Sequence, residues 1–410
     1  MNVKHLAVIE TNATGHGVYA LKVAHSLGYH PLFLTRDPSF YGEAWDDIAR
    51  YAADIIRIDT YDVAAMDHCL RQREPVQGII AFDDYHLLQA AELAAQRGLP
   101  HVNRAGLERC RNKYLTRKRL QEAGHHQPHY VVLTSTQPMP HESPFGYPCV
   151  VKPVDDSGSV GVTLCRTSVE FRQALERLRQ RAVNVRGYHL AAQWLVEEYI
   201  EGPEYSAEFI WDQGAWHLLG LTQKRVSRPP YFVELGHGFP YVFADALHTR
   251  VVQQLDAWLA GIGLRGGAAH VEFRMRGEEP MLMEINPRLG GDLIPDLIHR
   301  VIGIDLVQQQ LRWAMGEETP RCGDPVVYHG ACAIRFIVPP RPGVIRAIHN
   351  TARTPHNPTD VVIRALPLTV GLATNSYERL GYVITCGESL YDAELSAENQ
   401  MAALHFEWEA

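Results

Sequence analysis

The apolar and polar positions of the chain follow two rhythms in turn. "HLAVIE" (5–10) is a continuous apolar run of the buried-strand type, and after "TNATGHG" the spacing becomes helical through Val18, Leu21, Val23, Ala24 and Leu27. Strand, glycine-containing loop and helix form a βα unit. "HPLFLT", "DIIRID" and "GIIAFDD" predict further strands, and "YHLLQAAELAAQRG" predicts a helix closed by Gly98. Residues 1–102 therefore read as a small doubly wound α/β domain. Its first loop carries only Gly15 and Gly17, short of the G-x-G-x-x-G needed to seat a dinucleotide pyrophosphate, which demotes a nicotinamide-dependent oxidoreductase. The loop's backbone amides still suit a substrate carboxylate, and a plain strand-to-helix turn explains it equally well.

From 103 to 125 the pattern is one charged amphipathic helix ending at Gly124. A polar, proline-containing stretch at 136–148 follows. "PCVVKPVDDSGSVGVTLC" then reads as strand, glycine loop, strand, with a helix at about 168–182 and the strand "WLVEEYI" after it. "EYSAEFIW", "AWHLLGLTQKR", "AAHVEFRM" and "PMLMEINPR" are later strands, so this region is antiparallel β with packed helices. The organisation expected is a first α/β domain at 1–102, a small subdomain at 103–195, a larger one at 196–325 and a mixed α+β segment at 326–410. In the last, "YHGACAIRFIVP" and "GYVITCGES" are strand-like, and the segment's role as cap or dimer contact is left open.

Composition narrows the function. With 410 residues, 46% of them hydrophobic, the chain can bury a large core divided among several packed units. A formal charge of -8 repels nucleic acid and anionic membrane, so neither is expected as a partner and a small-molecule substrate fits better. Seven cysteines, at 69, 110, 149, 165, 322, 332 and 386, form no C-x-x-C pair or metal-ligand spacing. There is no signal peptide or long apolar span, so reduced thiols and a cytoplasmic location are expected. Only six lysines occur, at 4, 22, 113, 118, 152 and 224, against 33 arginines.

Two places concentrate chemistry. The loop Asp155–Val162, which contains Ser157, Gly158, Ser159, Gly161 and Val162, sits between two strands, and small residues let backbone amides approach phosphate oxygens. A hairpin turn is the bland reading. Lys152, just upstream between apolar neighbours, points toward that loop, and Lys113 is a second phosphate contact. In "HVEFR" and "MEINPR", strand alternation puts His270, Glu272 and Arg274 on one face and Glu284 and Asn286 on another. If the two strands pair, two carboxylates and an amide oxygen converge, a hard-oxygen set suited to Mg²⁺. The competing reading is a pair of merely charged strand faces.

These segments, in this order, resemble the ATP-grasp superfamily over roughly residues 1–320: "NKYLTRKRLQEAG", "VVKPVDDSGSVGV", "LVEEYIEGPEYS", "HVEFR" and "MEINPRLGG". The resemblance implies an ATP-grasp fold, with ATP and Mg²⁺ as cofactors and Mn²⁺ as a substitute ion. It implies that Lys113 and Lys152 grip the α- and β-phosphates and that the 155–162 loop covers the triphosphate. Glu197 with the backbone at Tyr199 and Ile200 would receive adenine, and Glu204 the ribose. Glu272, Glu284 and Asn286 would hold the metal, and Arg288 would contact the transferring phosphate and acyl oxygen. "YFVELGHGFP" is similar to a segment of L-amino-acid ligases and dapdiamide-type synthetases, which would set Glu234 and His237 in the acyl or amine site and Lys224 near the nucleotide or acyl phosphate.

The activity so implied is ATP-dependent joining of a carboxylic acid to an amine, with an amino acid on at least one side, through an acyl phosphate with release of ADP and phosphate. The nearest rival keeps the fold and activates bicarbonate or formate, as a carboxylase or purine-pathway ligase does. A nucleotide-binding regulator without catalysis is the rival from another class. A homodimer is compatible with the sequence.

Overall fold

The computed structural model describes residues 3–12, 16–73, 75–184, 186–229, 231–319, 325–352 and 359–409; Gly15 and Cys322 lie outside them. The first unit is β1 (Lys4–Ile9), α1 (His16–Ser26), β2 (Tyr29–Thr35), α2 (Trp45–Tyr51), β3 (Asp54–Arg57), α3 (Val63–Arg71), β4 (Val76–Ile80) and α4 (Leu87–Gln96). The strands are parallel in the order β3-β2-β1-β4, a doubly wound sheet with β4 at one edge. Gly17 is required where α1 meets β1, because a Cβ there would lie 1.8 Å from Thr11 Oγ1.

The single helix expected at 103–125 is two, α5 (Arg104–Arg111) and α6 (Lys113–Glu122). Asn112 leaves the helical region at φ -121°, ψ 107° and its side chain accepts from the amides of Tyr114 and Leu115, capping α6. Amphipathic spacing ran across this break, because a cap that interrupts a helix for one residue leaves the periodicity intact. Next come β5 (Tyr130–Thr134), β6 (Cys149–Pro153), β7 (Thr163–Cys165), α7 (Ser168–Arg179) and β8 (Gln193–Glu198), in an antiparallel sheet of order β5-β8-β6-β7. The glycine loop is the turn of the β6–β7 hairpin.

The largest sheet is built from β9 (Glu204–Asp212), β10 (Ala215–Val226), β11 (Glu234–Tyr241), β12 (Ala268–Arg276) and β13 (Glu279–Asn286), with α8 (Asp245–Ile262) between β11 and β12. Helices α9 (Ile294–Ile302) and α10 (Leu306–Ala314) follow. One face of β9, β12 and β13 is apolar: Tyr205, Ala207, Phe209, Val271, Phe273, Leu282 and Ile285 pack with Val251, Leu255, Trp258 and Leu259 of α8. Each such side chain, fully buried, contributes about 1.5–3 kcal/mol, which fixes the strand register and turns the alternate residues to the opposite face.

The C-terminal segment adds β14 (Ala331–Ile337), β15 (Gly343–Asn350), β16 (Thr359–Ile363), β17 (Leu368–Val370), β18 (Gly381–Gly387), α11 (Leu390–Ala402) and β19 (Leu404–Trp408). Strand β14 pairs with β11, so the large sheet runs β13-β12-β9-β10-β11-β14-β18-β16 without a break at residue 325. The expectation that all thiols are reduced fails here. Cys332 and Cys386 face each other across β14 and β18 and are joined as a disulfide. Their separation of 54 positions hid a contact that strand pairing creates. Cys69, Cys110, Cys149 and Cys165 are free thiols. Among the described residues no helix is long and apolar enough to cross a membrane.

Candidate active site

Opposite α8, the polar face of the large sheet carries a ladder of charge. Across the strands Arg274 lies beside Glu204, Glu204 beside Lys224 and Lys224 beside His237; Glu284 lies beside Glu272, and Asn286 beside His270, which lies beside Glu208. The contacts follow the register. Arg274 Nη2 is 2.9 Å from Glu204, and Lys224 Nζ is 2.6 Å from Glu234, 2.9 Å from Glu272 and 3.4 Å from Glu204. His270 is 2.7 Å from Glu208 through Nδ1 and 3.1 Å from Glu272 through Nε2. Burial alone would lower the His270 pKa, but Glu208 and Glu272 outweigh it and hold the imidazole up to about 9. Burial pushes the Glu234 carboxyl up to about 8, with Lys224 opposing and Asp292 adding to the rise.

The smaller antiparallel sheet forms the facing wall. In β6, Cys149 and Val151 enter the apolar core while Val150 and Lys152 face a cleft, and in β8 Trp194 and Val196 go inward while Glu197 faces the cleft. Lys152 Nζ lies 2.6 Å from one oxygen of Glu197, and Arg117 Nε lies 2.6 Å from the other. Burial raises and these two cations lower the Glu197 pKa, to about 2. The Lys152 ammonium is depressed by its own burial against the pull of Glu197. Lys113 reaches Glu284 at 2.9 Å and donates to the Asp156 carbonyl at 2.8 Å.

Between the walls lies a cleft of about 860 Å³ including the solvent at its mouth. Lys113, Lys152, Ser157, Gly158, Ser159, Val162, Glu197, Tyr199, Ile200, Glu204, Glu234, Glu272 and Glu284 all line it. Five of the expected residues stand apart from the lining. Gly161 turns toward Leu178 of α7, where a Cβ would come within 2.6 Å. Lys224, His237 and Asn286 are buried behind the lining, and Arg288 is drawn to the first domain by Asp84, with Nε and Nη2 2.7 and 2.8 Å from its two oxygens. His237 is in strand β11. Gly236 and Gly238 sit in that strand because a Cβ would meet the Ile334 carbonyl at 2.4 Å and Leu390 at 2.7 Å.

Sequence reasoning missed several groups. Asp84 also accepts from Ser157 Oγ at 2.6 Å, and the Tyr85 hydroxyl donates to Asp156 at 2.8 Å, so the first domain holds the glycine loop. Asp84 and Tyr85 follow β4 at the carboxyl end of a parallel sheet, the usual ligand side of such domains, and that position was the available signal. The C-terminal segment supplies Tyr377, whose ring leaves no room for a Cβ at Gly158, and Arg379, which is 2.8 Å from Asp292; nothing local in the sequence marked either. Tyr199 and Phe232 stack with centroids 6.4 Å apart, and Arg274 lies over both rings.

The donor set fits a divalent cation. Glu204, Glu234 and Glu272 offer carboxylate oxygens within 4.8 Å of one another. Glu284 stands opposite Glu272, and Asn286 donates its Nδ2 to Glu272, while its side-chain oxygen is a hard ligand of the kind such a cation takes.

Residues 145–296 match the family described as ATP-grasp domain, and residues 335–409 match L-amino acid ligase C-terminal domain 2. The chain thus carries an ATP-grasp domain and an L-amino acid ligase C-terminal domain. The fold agrees with that of an L-amino acid ligase from Bacillus licheniformis at a TM-score of 0.81 and 21% identity, over 99% of both chains. An uncharacterized protein of Sinorhizobium fredii is 27% identical over 95% of this ATP-grasp chain and 80% of its own length. The alanine–anticapsin ligase of Bacillus amyloliquefaciens is 27% identical over 54% of this chain, but the match covers only 47% of that enzyme.

Proposed function

We propose that this ATP-grasp protein activates a carboxylic acid with Mg-ATP and joins it to an amine, with an amino acid on at least one side. The observation that carries the reading is the set of lysines and carboxylates that pair off across one cleft beneath a glycine loop. Each of the two lysines that line the cleft is held by a carboxylate in the absence of nucleotide, and phosphate oxygens would take the carboxylate's place. Lys113–Glu284 and Lys152–Glu197 are the clearest such pairs. The similarity to ligases that include an alanine–anticapsin ligase supports amide formation over carboxylation.

In this reading Lys113 and Lys152 neutralise phosphate oxygens, and the Tyr199–Phe232 ledge with the Ile200 carbonyl edge receives the base. Glu272, Glu284 and Asn286, with Glu204 and Glu234 nearby, would hold a divalent cation, which would supply Lewis-acid stabilisation of charge on the γ-phosphoryl group. Arg288 lies between the first domain and the metal face, where it can offset charge on the acyl oxygen as the amine attacks. The loop at 155–162, tied down by Asp84 and Tyr85, shields the acyl phosphate from water.

The test is chemical trapping. Acid and Mg-ATP without amine, in the presence of hydroxylamine, should give a hydroxamate with one ADP per hydroxamate. AMP as the nucleotide product, with any acid and amine that give an amide, would overturn the mechanism.

A further inference from the structure

A second void lies apart from the nucleotide cleft. It runs along the outer side of β4, which ends the sheet, and is lined in succession by Ile79 and Ile80 of that strand and by Ala81 and Phe82 just after it. Ala90, Ala91 and Ala94 of α4 form one side, and Gly267, Ala268 and Trp313 form the other. Counting the solvent at its mouth, the void measures about 580 Å³. Small residues on both sides keep it open between apolar walls. At one end stand Arg288 and His16. His16 is 7% exposed, yet its Nδ1 is buried and has no hydrogen-bond partner among the described residues. An unsatisfied buried nitrogen beside an apolar void is costly unless a ligand completes it. Burial, helped by Arg288, lowers the His16 pKa to about 4, so near neutral pH the ring is uncharged and Nδ1 can serve a polar ligand atom.

We propose that this void is the side-chain pocket for the activated acid: the carboxylate lies at Arg288, a polar group beside it meets His16 Nδ1, and an apolar side chain of leucine to phenylalanine size extends along the β4 edge. The inference rests on the ligase reading, since Arg288 is taken as the acyl end of the site. It makes the substrate class an acid with an apolar branched or aromatic side chain, and it makes Ala91 and Trp313 specificity determinants.

The experiment compares the parent with Ala91→Leu, which narrows the void, and Trp313→Ala, which widens it. Glycine, alanine, leucine and phenylalanine are tested as acids by hydroxamate formation and, separately, by calorimetric binding in the presence of Mg-ADP. Ala91→Leu should lower kcat/KM and affinity for leucine and phenylalanine by about tenfold or more while alanine changes little, because apolar pockets discriminate by about that factor per methylene. Trp313→Ala should favour phenylalanine over leucine relative to the parent, and it carries the test if the first variant does not fold. Folded variants that change all four acids by one common factor would overturn the pocket. So would turnover with other acids in a parent that binds neither leucine nor phenylalanine. Graded binding without any ADP release would retain the pocket and sink the ligase reading.

Discussion

Arg117 is 1% exposed and binds Glu197 with Nε at 2.6 Å and Nη2 at 3.4 Å. It also donates to the Met283 carbonyl at 3.0 Å and to Gln127 at 3.3 Å. Its side chain meets the cleft lining through Glu197 and Met283, so Arg117→Ala perturbs the site from behind. Holding the Glu197 carboxyl at about 2 rather than 4.5 is worth about 3 kcal/mol at neutral pH, at about 1.4 kcal/mol per pH unit. Lys152 retains part of that, but the lost hydrogen bonds add to the deficit, and breaking a buried pair by removing one partner costs about 3–5 kcal/mol. At roughly 2–4 °C per kcal/mol, the melting temperature should fall by about 6 °C or more. The sign with pH follows from a depressed carboxyl: its contribution is present above 4.5 and disappears as pH falls through about 2. The gap between parent and variant should therefore be widest near neutrality and close below pH 4. Thermal melting across pH 2.5–7.5 reads both features. A variant that melts within 1 °C of the parent at pH 7, or a gap that does not narrow in acid, would refute the account.

Glu284→Gln should lower turnover by roughly 10³-fold while melting stays near the parent's, because it removes metal-held charge stabilisation worth several kcal/mol; phosphate release and a melting curve check this. Lys152→Met should raise the KM for ATP about ten- to a hundredfold, the worth of one charged hydrogen bond, and Glu197 stays paired by Arg117 in that variant. His270 is raised from 6.5 to about 9, so its stabilisation is complete below 6.5 and lost as pH rises through 9. His270→Gln should flatten the decline in melting temperature over pH 6.5–9, and an unchanged slope would count against the Glu208–His270–Glu272 contacts.

Elements with strict periodicity were legible in the sequence. The parallel first domain followed from apolar runs alternating with helical rhythm, the β6–β7 hairpin from a glycine loop between two strand-like runs, and the shared face of His270, Glu272 and Arg274 from alternation, since a two-residue period fixes facing without any tertiary information. What escaped was long-range. Asp84 meets Arg288 across 204 residues, Arg379 meets Asp292 across 87, and Cys332 meets Cys386 across 54, and no local rhythm encodes which distant strands pair. His237 itself was picked out by the resemblance of its segment, but its place in a central strand was not, because the glycines beside it serve close packing against β14 and α11 that only the folded chain creates.

The pairing of β14 with β11 bears on any attempt to trim the enzyme to a minimal catalytic fragment. Cutting after the strands that carry Glu272 and Glu284, near residue 325, would strip β11 of its neighbour and present the backbone around Gly236–Phe239 as a raw edge. Unpaired edges of that kind recruit other chains, so such a fragment should precipitate or form β-linked oligomers rather than a smaller ligase. The same cut would remove Arg335, whose guanidinium donates to the His237 carbonyl from within the lost strand. The strand that holds Glu234 and His237 thus owes its shape to residues translated about a hundred positions later, and the protein can be shortened only from outside that seam.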